Sequence, residues 1–385
     1  MSRSRLRIVV AGMIAADPFQ GGATWAVLQY LLGLRSLGHD VLFVEPVDSA
    51  KLRPEGTSLD VSVNHRYLVE ALSSAGFDGD HALVDAATGA VAGMTRERLL
   101  ERCTSADLLL NVSGMLADPA LIGSIPVRAY LDLDPAFVQL WHAQGIDMRF
   151  DSHTHFVTVG LGIGESGSVI PTDGRDWITT LQPVDLPSWP VADRLSIDAL
   201  TTVANWRGYG SIEHEGRTYG QKVHAIRDLI EMPRRVGDRF VLALAIHPDE
   251  TRDLEALALN GWELVDPAIV ARTPATYREF IGGSLGEIGI AKTGYVLSRS
   301  GWFSDRSICY LASGRPVVAQ ETGFSRHLPT GDGLFAFETI DDVASAYAAI
   351  RSDYERHRRA ARAIAEDLFD ARLVLERLLI RLGVA

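Results

Sequence analysis

Residues 300–324 read SGWFSDRSICYLASGRPVVAQETGF, and this stretch decides the fold class. Ile308 and Leu311 lie on one face of a predicted helix, and Gly314 stands where a helix C-cap belongs. Proline and β-branched residues follow this cap, which predicts a buried strand over Pro316–Ala319. Polar, glycine-containing turns precede the helix and follow the strand. Such turns predict an anion-binding edge of a parallel sheet.

Apolar runs typical of strands alternate with helical stretches along the rest of the chain, which predicts parallel sheets built from strand–helix–strand units. The segment Gln182–Pro190 contains three prolines and predicts a semi-rigid connector. We therefore expect two α/β domains with a ligand cleft between them. The predicted divisions are 1–183 for the first domain, 184–198 for the connector, 199–366 for the second domain and 367–385 for a C-terminal helix.

Charge and composition exclude several classes of function. The 385-residue chain has a formal net charge of −12, which disfavours binding to nucleic acids and anionic membranes. Cys103 and Cys309 are too few for a disulfide framework or a four-cysteine zinc site. No uninterrupted apolar run reaches about eighteen residues, which predicts a cytoplasmic protein without an integral membrane segment. Nothing in the sequence indicates an oligomeric state.

Paired glycines open the first long predicted helix, after the strand Leu6–Ala11 and a loop that contains Asp17. Without Cβ atoms, Gly21 and Gly22 allow a ligand to approach the backbone, and a helix N-terminus attracts anions. An ordinary loop before a helix is the alternative. We favour ligand binding because the loop follows the carboxyl end of a parallel strand, and we place Asp17 on the acceptor side of the cleft.

Two carboxylates end the apolar strand Val127–Asp132. Carboxylates at this position point into the crevice of an open α/β sheet, where they orient hydroxyl groups or accept a proton. We assign Asp132 to catalysis and Asp134 to a helix N-cap, because Pro135 follows it. His153 is placed on the acceptor side, with a solvated turn as the alternative. No further ligands stand at a diagnostic spacing, so no metal site is expected.

Gly162, Gly164 and Gly167 match the spacing of a dinucleotide-binding fingerprint. Pro171 follows them where the fingerprint needs a helix N-terminus to hold a pyrophosphate. The residues therefore predict a glycine-rich turn near the cleft, and we expect no nicotinamide cofactor.

Two cations follow the first predicted strand of the second half. Arg207 lies in the loop after that strand, and Lys222 begins the next helix. A guanidinium and an ammonium that converge on one point neutralise a diphosphate without a metal ion. A surface salt bridge of Arg207 is the alternative. The scarcity of lysine favours a role for Lys222, since only Lys51, Lys222 and Lys292 are lysines among 37 basic residues.

These stretches together resemble the GT-B fold glycosyltransferases, in particular the large retaining family of the group 1 type that uses nucleotide-sugar donors. The first strand, Gly21-Gly22 and residues 36–44 (SLGHDVLFV) are similar to the amino domain of that family. Ala312–Ala319, with Thr322-Gly323 after it, resembles the family's donor-site signature. Arg207 and Lys222 resemble its diphosphate-binding pair.

The resemblance implies two Rossmann-like domains that face each other across the cleft, with a C-terminal helix crossing back to the N-terminal domain. It implies metal-independent, retaining transfer of a sugar from a nucleotide-diphosphate-sugar, which is a co-substrate rather than a cofactor, to a small-molecule or glycan acceptor. Arg207, Lys222 and Asp132 are the expected catalytic residues. The expected donor-binding residues are Gly21, Gly22, Trp302, Phe303, Ser304, Asp305, Arg306, Glu321, Thr322, Gly323 and Phe324.

The chain departs from this family at two glutamates that hold the donor sugar and the ribose. Alignment on the Ala-Ser-Gly-Arg-Pro run places Gly301 and Cys309 at those positions. Asp305 and Glu321 are nearby acids that can substitute for them. Two alternative functions remain open: a nucleotide-sugar epimerase or hydrolase on the same fold, and a binding protein that has lost the chemistry.

Overall fold

The computed structural model describes residues 5–77 and 80–384, which form two α/β units, each built on a largely parallel sheet. The prediction of two α/β domains is thereby confirmed. The ends of the predicted divisions, residues 1–4 and Ala385, lie outside the described residues. Among the described residues, no helix is both long enough and apolar enough to cross a membrane.

An eight-stranded sheet forms the first unit. Its strands are β1 (Arg7–Ala11), β2 (Asp40–Val47), β3 (His81–Asp85), β4 (Val91–Ala92), β5 (Leu108–Val112), β6 (Val127–Asp132), β7 (His155–Thr158) and β8 (Trp177–Thr179). They lie in the order β4-β3-β2-β1-β5-β6-β7-β8, and only β4 pairs antiparallel to its neighbour. The central strand β1 is apolar and buried along most of its length, because helices cover both faces of such a sheet.

A six-stranded parallel sheet and a short antiparallel hairpin form the second unit. The strands are β9 (Ile197–Asn205), β10 (Ile212–His214), β11 (Arg217–Tyr219), β12 (Phe240–Ala245), β13 (Trp262–Val265), β14 (Ser284–Gly289), β15 (Val317–Gln320) and β16 (Leu334–Phe337). The sheet has the order β13-β12-β9-β14-β15-β16, and β10 pairs with β11 outside it. The carboxyl ends of β9, β14 and β15 therefore meet at one edge.

Helices connect the strands of both sheets. They are α1 (Gly21–Ser36), α2 (Val63–Ser74), α3 (Arg96–Thr104), α4 (Pro119–Ile122), α5 (Phe137–Ala143), α6 (Lys222–Asp228), α7 (Met232–Val236), α8 (Thr251–Leu259), α9 (Pro267–Val270), α10 (Pro274–Gly283), α11 (Thr293–Ser298), α12 (Asp305–Ala312), α13 (Ile340–Ser352), α14 (Tyr354–Ile364) and α15 (Ala371–Arg381). A π-helical turn, Ala365–Phe369, lies between α14 and α15.

The last helix, α15, crosses back to the first unit and packs against α1, as the resemblance implied. A Cβ atom on Gly33 would come within 2.5 Å of the Leu375 side chain and 2.7 Å of the Ala371 Cβ, so glycine permits the close approach of the two helices. The Val184 amide donates to the Phe369 carbonyl, and the Ala371 amide donates to the Val184 carbonyl, which fixes the crossing point.

The structure also differs from the predicted elements. Strand β14 was not predicted, because its sequence SLGEIG contains two glycines and a glutamate where a buried strand is normally apolar. Lys222 begins α6, where the sequence places a helix start, and this helix runs only to Asp228.

Candidate active site

The predicted donor stretch lies at the carboxyl edge of the second sheet, between β14 and β15. Ser304 caps α12, and its hydroxyl accepts a hydrogen bond from the Arg306 amide at 3.2 Å. A cavity of about 10 Å³ opens beside this helix start. It is lined by Gly289, Trp302, Phe303, Ser304, Arg306, Ser307, Ala319, Gln320 and Phe324. The structure thus brings Trp302, Phe303, Ser304, Arg306 and Phe324 together around one cavity.

A buried ion pair lies beneath this edge. Arg306 Nε donates to Glu287 Oε1 at 2.6 Å, and an Arg306 Nη donates to the Val203 carbonyl at 3.0 Å. The Glu287 side chain is fully buried, and its second oxygen, Oε2, has no hydrogen-bond partner among the described residues. Glu287 therefore orients the Arg306 guanidinium. The sequence analysis missed this glutamate because β14 was not recognised as a strand.

Lys222 begins α6 and lies in the same electrostatic environment. Burial lowers the pKa of its ammonium well below the usual range, and the Arg306 cation lowers that pKa further, whereas Glu287 raises it. Among the described residues, no carboxylate forms an ion pair with Lys222. Lys222 and Arg306 are thus like charges that act on each other, opposed by the Glu287 and Asp305 carboxylates, and a bound anion would stabilise both cations further.

Arg207 does not join this group. Its guanidinium lies at the surface, with 52% of the side chain exposed, and donates through Nε and Nη2 to the Glu250 carboxylate. Glu250 precedes α8 and satisfies the guanidinium on the outer side of the sheet edge. The surface salt bridge was the alternative interpretation, and the structure favours it. Arg306 is the guanidinium that acts on Lys222.

The structure places the two aspartates after β6 in different environments. Asp132 is fully buried, and it accepts hydrogen bonds from the Gln139 side chain at 2.9 Å and from the Thr158 hydroxyl at 2.8 Å. Burial raises the pKa of the Asp132 carboxyl to about 6. Asp134 is not the N-cap of α5, since Ala136 occupies that position. The N-cap prediction for Asp134 was therefore wrong, whereas a catalytic role of the buried Asp132 stays a prediction.

Asp134 instead joins the two units through Lys292. The Lys292 ammonium lies 3.0 Å from both carboxylate oxygens of Asp134, and the hydroxyl groups of Tyr209 and Tyr295 also donate to that carboxylate. The ammonium lies 4.2 Å from the Tyr209 ring centroid and 4.9 Å from that of Phe137. This charged and aromatic contact, which we call the Asp134–Lys292 junction, was not predicted, although the rarity of lysine drew attention to Lys292.

Gly21 and Gly22 face the second unit rather than open space. The Gly21 amide donates to the Ala271 carbonyl at 2.9 Å, and a Cβ on Gly21 would lie 2.3 Å from the Thr273 carbonyl oxygen. A Cβ on Gly22 would lie 2.9 Å from the Tyr277 ring. The expected open backbone surface is therefore covered at Gly21, while Gly22 lines a second cavity of about 10 Å³ that also contacts Asp305.

The two acceptor-side residues have different environments. Asp17 is exposed in the loop after β1. His153 is buried: its Nε2 lies 3.0 Å from the Asn111 side-chain nitrogen, and its Nδ1 donates to the Arg149 carbonyl at 2.8 Å. Because both ring nitrogens are engaged, the structure places His153 inside the first unit and not in the cleft. The described residues contain no group of three or more His, Cys, Asp or Glu able to hold a metal ion.

The two positions at which the resemblance places glutamates hold a glycine in a turn and a cysteine inside α12. Gly301 has φ +72°, and a Cβ there would lie 2.6 Å from the Gly162 amide nitrogen. Cys309 is buried, and its thiol donates to the Asp305 carbonyl. The Glu321 carboxylate accepts from the Gly323 amide, so it holds the turn of Thr322 and Gly323 in place. Asp305 is the partly exposed acid in this region.

No protein-family model matches this chain, and no curated protein matches it. Solved structures do match over nearly its whole length. HepE from Anabaena, in complex with UDP and glucose, is 11% identical, with 99% of this chain and 100% of that chain covered and a TM-score of 0.62. The catalytic domain of starch synthase IV from Arabidopsis thaliana, bound to ADP and acarbose, is 14% identical, with 98% and 99% covered and a TM-score of 0.53. An alpha-glucosyltransferase in complex with UDP and a 13-mer DNA is 11% identical, with 99% and 100% covered and a TM-score of 0.58.

Proposed function

We propose that this chain, which has the GT-B fold, transfers a sugar from a nucleotide-diphosphate-sugar to an acceptor. The observation that carries the proposal is the buried ion pair of Arg306 and Glu287 at the carboxyl edge of the second sheet, with the Lys222 ammonium in the same electrostatic environment. Ligands of open α/β sheets bind at that edge. The fold likeness supports the assignment, since the neighbours are complexes with UDP or ADP.

In the proposed mechanism, negative charge develops on the departing diphosphate. Lys222 and Arg306 stabilise that charge, and the backbone amides at the start of α12, near Ser304, add fixed dipoles. Because these cations belong to the protein, the step needs no metal ion. Retention of configuration is part of the proposal by resemblance.

Asp305 is the acid that we propose for binding the hydroxyl groups of the donor. It is partly exposed, it begins α12, and it lines the cavity that also contacts Gly22 and Tyr277. Glu321 is less suited to this role, because its carboxylate already holds the Gly323 amide.

Entry of the donor requires the two units to move apart. Ligand pockets typically have volumes of about 300 to 1,000 Å³, whereas the two cavities at the candidate site measure about 10 Å³ each. Contacts between the units close the site: Gly160 pairs with Trp302, and the Gly162 amide donates to the Ser300 carbonyl. We propose that the domains open to admit the donor and close to exclude water during transfer.

The acceptor is not assigned. We propose that it enters beside the exposed Asp17 in the first unit. The net charge of −12 disfavours a polyanionic acceptor, yet one neighbour of the same fold is in complex with DNA, so nucleic acid belongs in the panel of acceptors to be tested. A binding protein without transfer activity is the second candidate, favoured by Gly301 and Cys309 at the positions of the family glutamates.

Thermal unfolding with UDP, ADP and their glucose derivatives, followed by an assay of sugar transfer and of donor breakdown, tests the proposal. A ligand at 100 times its Kd should stabilise the fold by about 2.7 kcal/mol, and EDTA should not remove the effect. Absence of stabilisation by every nucleotide would refute the proposal. Binding without turnover would indicate the binding protein, and donor conversion without an acceptor would indicate an epimerase or hydrolase.

A further inference from the structure

A groove of about 210 Å³ lies outside the candidate active site, between the edge strand β8 and the C-terminal helix α15. It is lined by Leu161, Thr179, Thr180, Leu181, Val374, Arg377, Leu378 and Arg381. It is about twenty times larger than either cavity at the candidate active site. Its lining divides into an apolar floor and a cationic rim.

The floor is formed by two residues one helical turn apart on α15. Val374 is 3% exposed and Leu378 is 2% exposed. Leu161 and Leu181 extend this apolar surface from the first unit, and both are partly buried. The floor therefore offers hydrocarbon contacts to a ligand on both sides of the groove.

The rim carries two exposed arginines, also one turn apart on α15. Arg381 donates one guanidinium N–H to the Thr179 carbonyl. Arg377 has no hydrogen bond or ion pair with any residue that the structure describes. No acidic side chain lines the groove. In a chain with a net charge of −12, this is a local excess of positive charge over an apolar surface.

We propose that the groove binds a single-chain amphiphilic anion, with its hydrocarbon chain against the partly exposed Leu161 and Leu181 above the floor and its phosphate or carboxylate head at Arg377 and Arg381. If a methylene occupies about the 30 Å³ of a water molecule, the groove holds a chain of roughly seven or eight carbons. Guanidinium groups bind phosphate and carboxylate through paired hydrogen bonds, which suits either head group.

The groove adjoins the loop that closes the candidate active site. Leu161 lies between Gly160, which pairs with Trp302, and Gly162, whose amide donates to the Ser300 carbonyl. A ligand in the groove would therefore contact a segment that joins the two units. The binding proposal does not depend on the proposed sugar transfer, and each can fail without the other.

Isothermal titration of the full chain with octyl phosphate and octanoate, below their micelle concentrations, tests the proposal. We expect saturable one-to-one binding of at least one of them, and the tighter of the two identifies the head group. Butyl phosphate should bind about a hundredfold more weakly, because four methylenes fewer are buried. Octyl glucoside should bind much more weakly, since it lacks the charge. Equal binding of octyl glucoside, or no binding of either anion, would overturn the proposal.

Substitutions locate the bound anion. The double variant Arg377→Gln/Arg381→Gln should weaken binding of the anion at least tenfold, and Thr180→Trp should abolish it by filling the groove. Arg372→Gln is the matched control, because Arg372 is also exposed on α15 but does not line the groove. Far-UV circular dichroism and thermal unfolding verify that each variant folds. Wild-type affinity in the folded double variant would place the anion elsewhere and refute the site.

Discussion

Two lysines of the second unit, Lys222 and Lys292, differ in what surrounds them. Lys222 and Lys292 are both partly buried, and burial lowers the pKa of both. Lys292 has a carboxylate partner, Asp134, at 3.0 Å and aromatic rings around its ammonium. Lys222 has no such partner, and its strongest charged neighbour is the Arg306 cation.

The difference separates a structural contact from a ligand site. A buried charge is tolerated when it has hydrogen-bond partners and a neighbour of opposite charge. Lys292 has both. At Lys222, the Arg306 cation opposes the ammonium charge, and Glu287, the carboxylate with the larger effect on Lys222, is already hydrogen-bonded to Arg306. We therefore interpret the surroundings of Lys222 as preorganised for an anionic ligand and the Asp134–Lys292 junction as a contact that holds the units together.

Of the substitutions near Lys222 and Lys292, Arg306→Ala should have the largest effect, and this effect is on stability. Arg306→Ala should lower the free energy of unfolding by about 3–5 kcal/mol, because it leaves the fully buried Glu287 carboxylate without its hydrogen-bonded counter-ion. Urea denaturation followed by circular dichroism measures the change. Arg239→Ala, which breaks an exposed pair with Glu263, is the control and should change stability little. A stable Arg306→Ala variant would show that Glu287 does not depend on this guanidinium.

Lys222→Ala should have the next largest effect, on activity rather than on stability. Loss of one cation that stabilises the leaving group should lower kcat/KM about 100- to 1,000-fold. The fold should be as stable as the wild type or more so, because the variant removes a buried cation without a partner. Lys51→Ala, at an exposed lysine, provides the control for transfer kinetics. Wild-type turnover in Lys222→Ala would end the assignment of this region as the donor site.

The paired lysine should give a smaller effect that is mainly structural. Lys292→Met leaves Asp134 with two tyrosine hydroxyl donors and no cation. The free energy of unfolding should therefore fall by about 1–3 kcal/mol. Combined with Asp134→Asn in a double-mutant cycle, it should show a coupling energy of about 0.5–3 kcal/mol. Chemical denaturation of the four proteins measures this energy. A coupling energy of zero would mean that the junction does not hold the two units together.

Binding of nucleotide should depend on pH through Lys222. The free protein has a lowered pKa at Lys222, and a bound diphosphate would raise that pKa again. Affinity for UDP should therefore be constant below the lowered pKa and fall by up to about tenfold per pH unit above it. Titration calorimetry between pH 7 and 10, above the phosphate pKa of about 6, measures this. Lys222→Arg should abolish the decline, and a decline that persists in Lys222→Arg would assign it to another group.

The same comparison shows which features could be predicted from sequence. The helix, glycine cap and strand around Gly314 are local signals, so the second sheet and its donor edge were predicted from one stretch. Strand β14 gave no such signal, because its glycines and Glu287 break the apolar pattern, and the partner of Arg306 was missed with it. Asp132 and Asp134 are two residues apart, and the depth at which each lies depends on packing that spacing alone does not define.

Arg207 was paired with Lys222 by resemblance to the family, but the structure does not bring the two together. Substitution of Arg207 should have the smallest of the predicted effects. Its guanidinium is half exposed and satisfied by Glu250, so Arg207→Ala should leave both thermal stability and the affinity for UDP close to those of the wild type. Thermal unfolding of Arg207→Ala and of Lys222→Ala, each with and without UDP, measures the difference. The comparison shows whether Arg207 and Lys222, which the sequence analysis treated as a pair, both contribute to nucleotide binding. If Arg207→Ala instead weakened nucleotide binding as much as Lys222→Ala, the guanidinium would have to leave Glu250 when the donor binds. The anion would then be held by Arg207 and Lys222 together, and Arg306 would have a structural role alone.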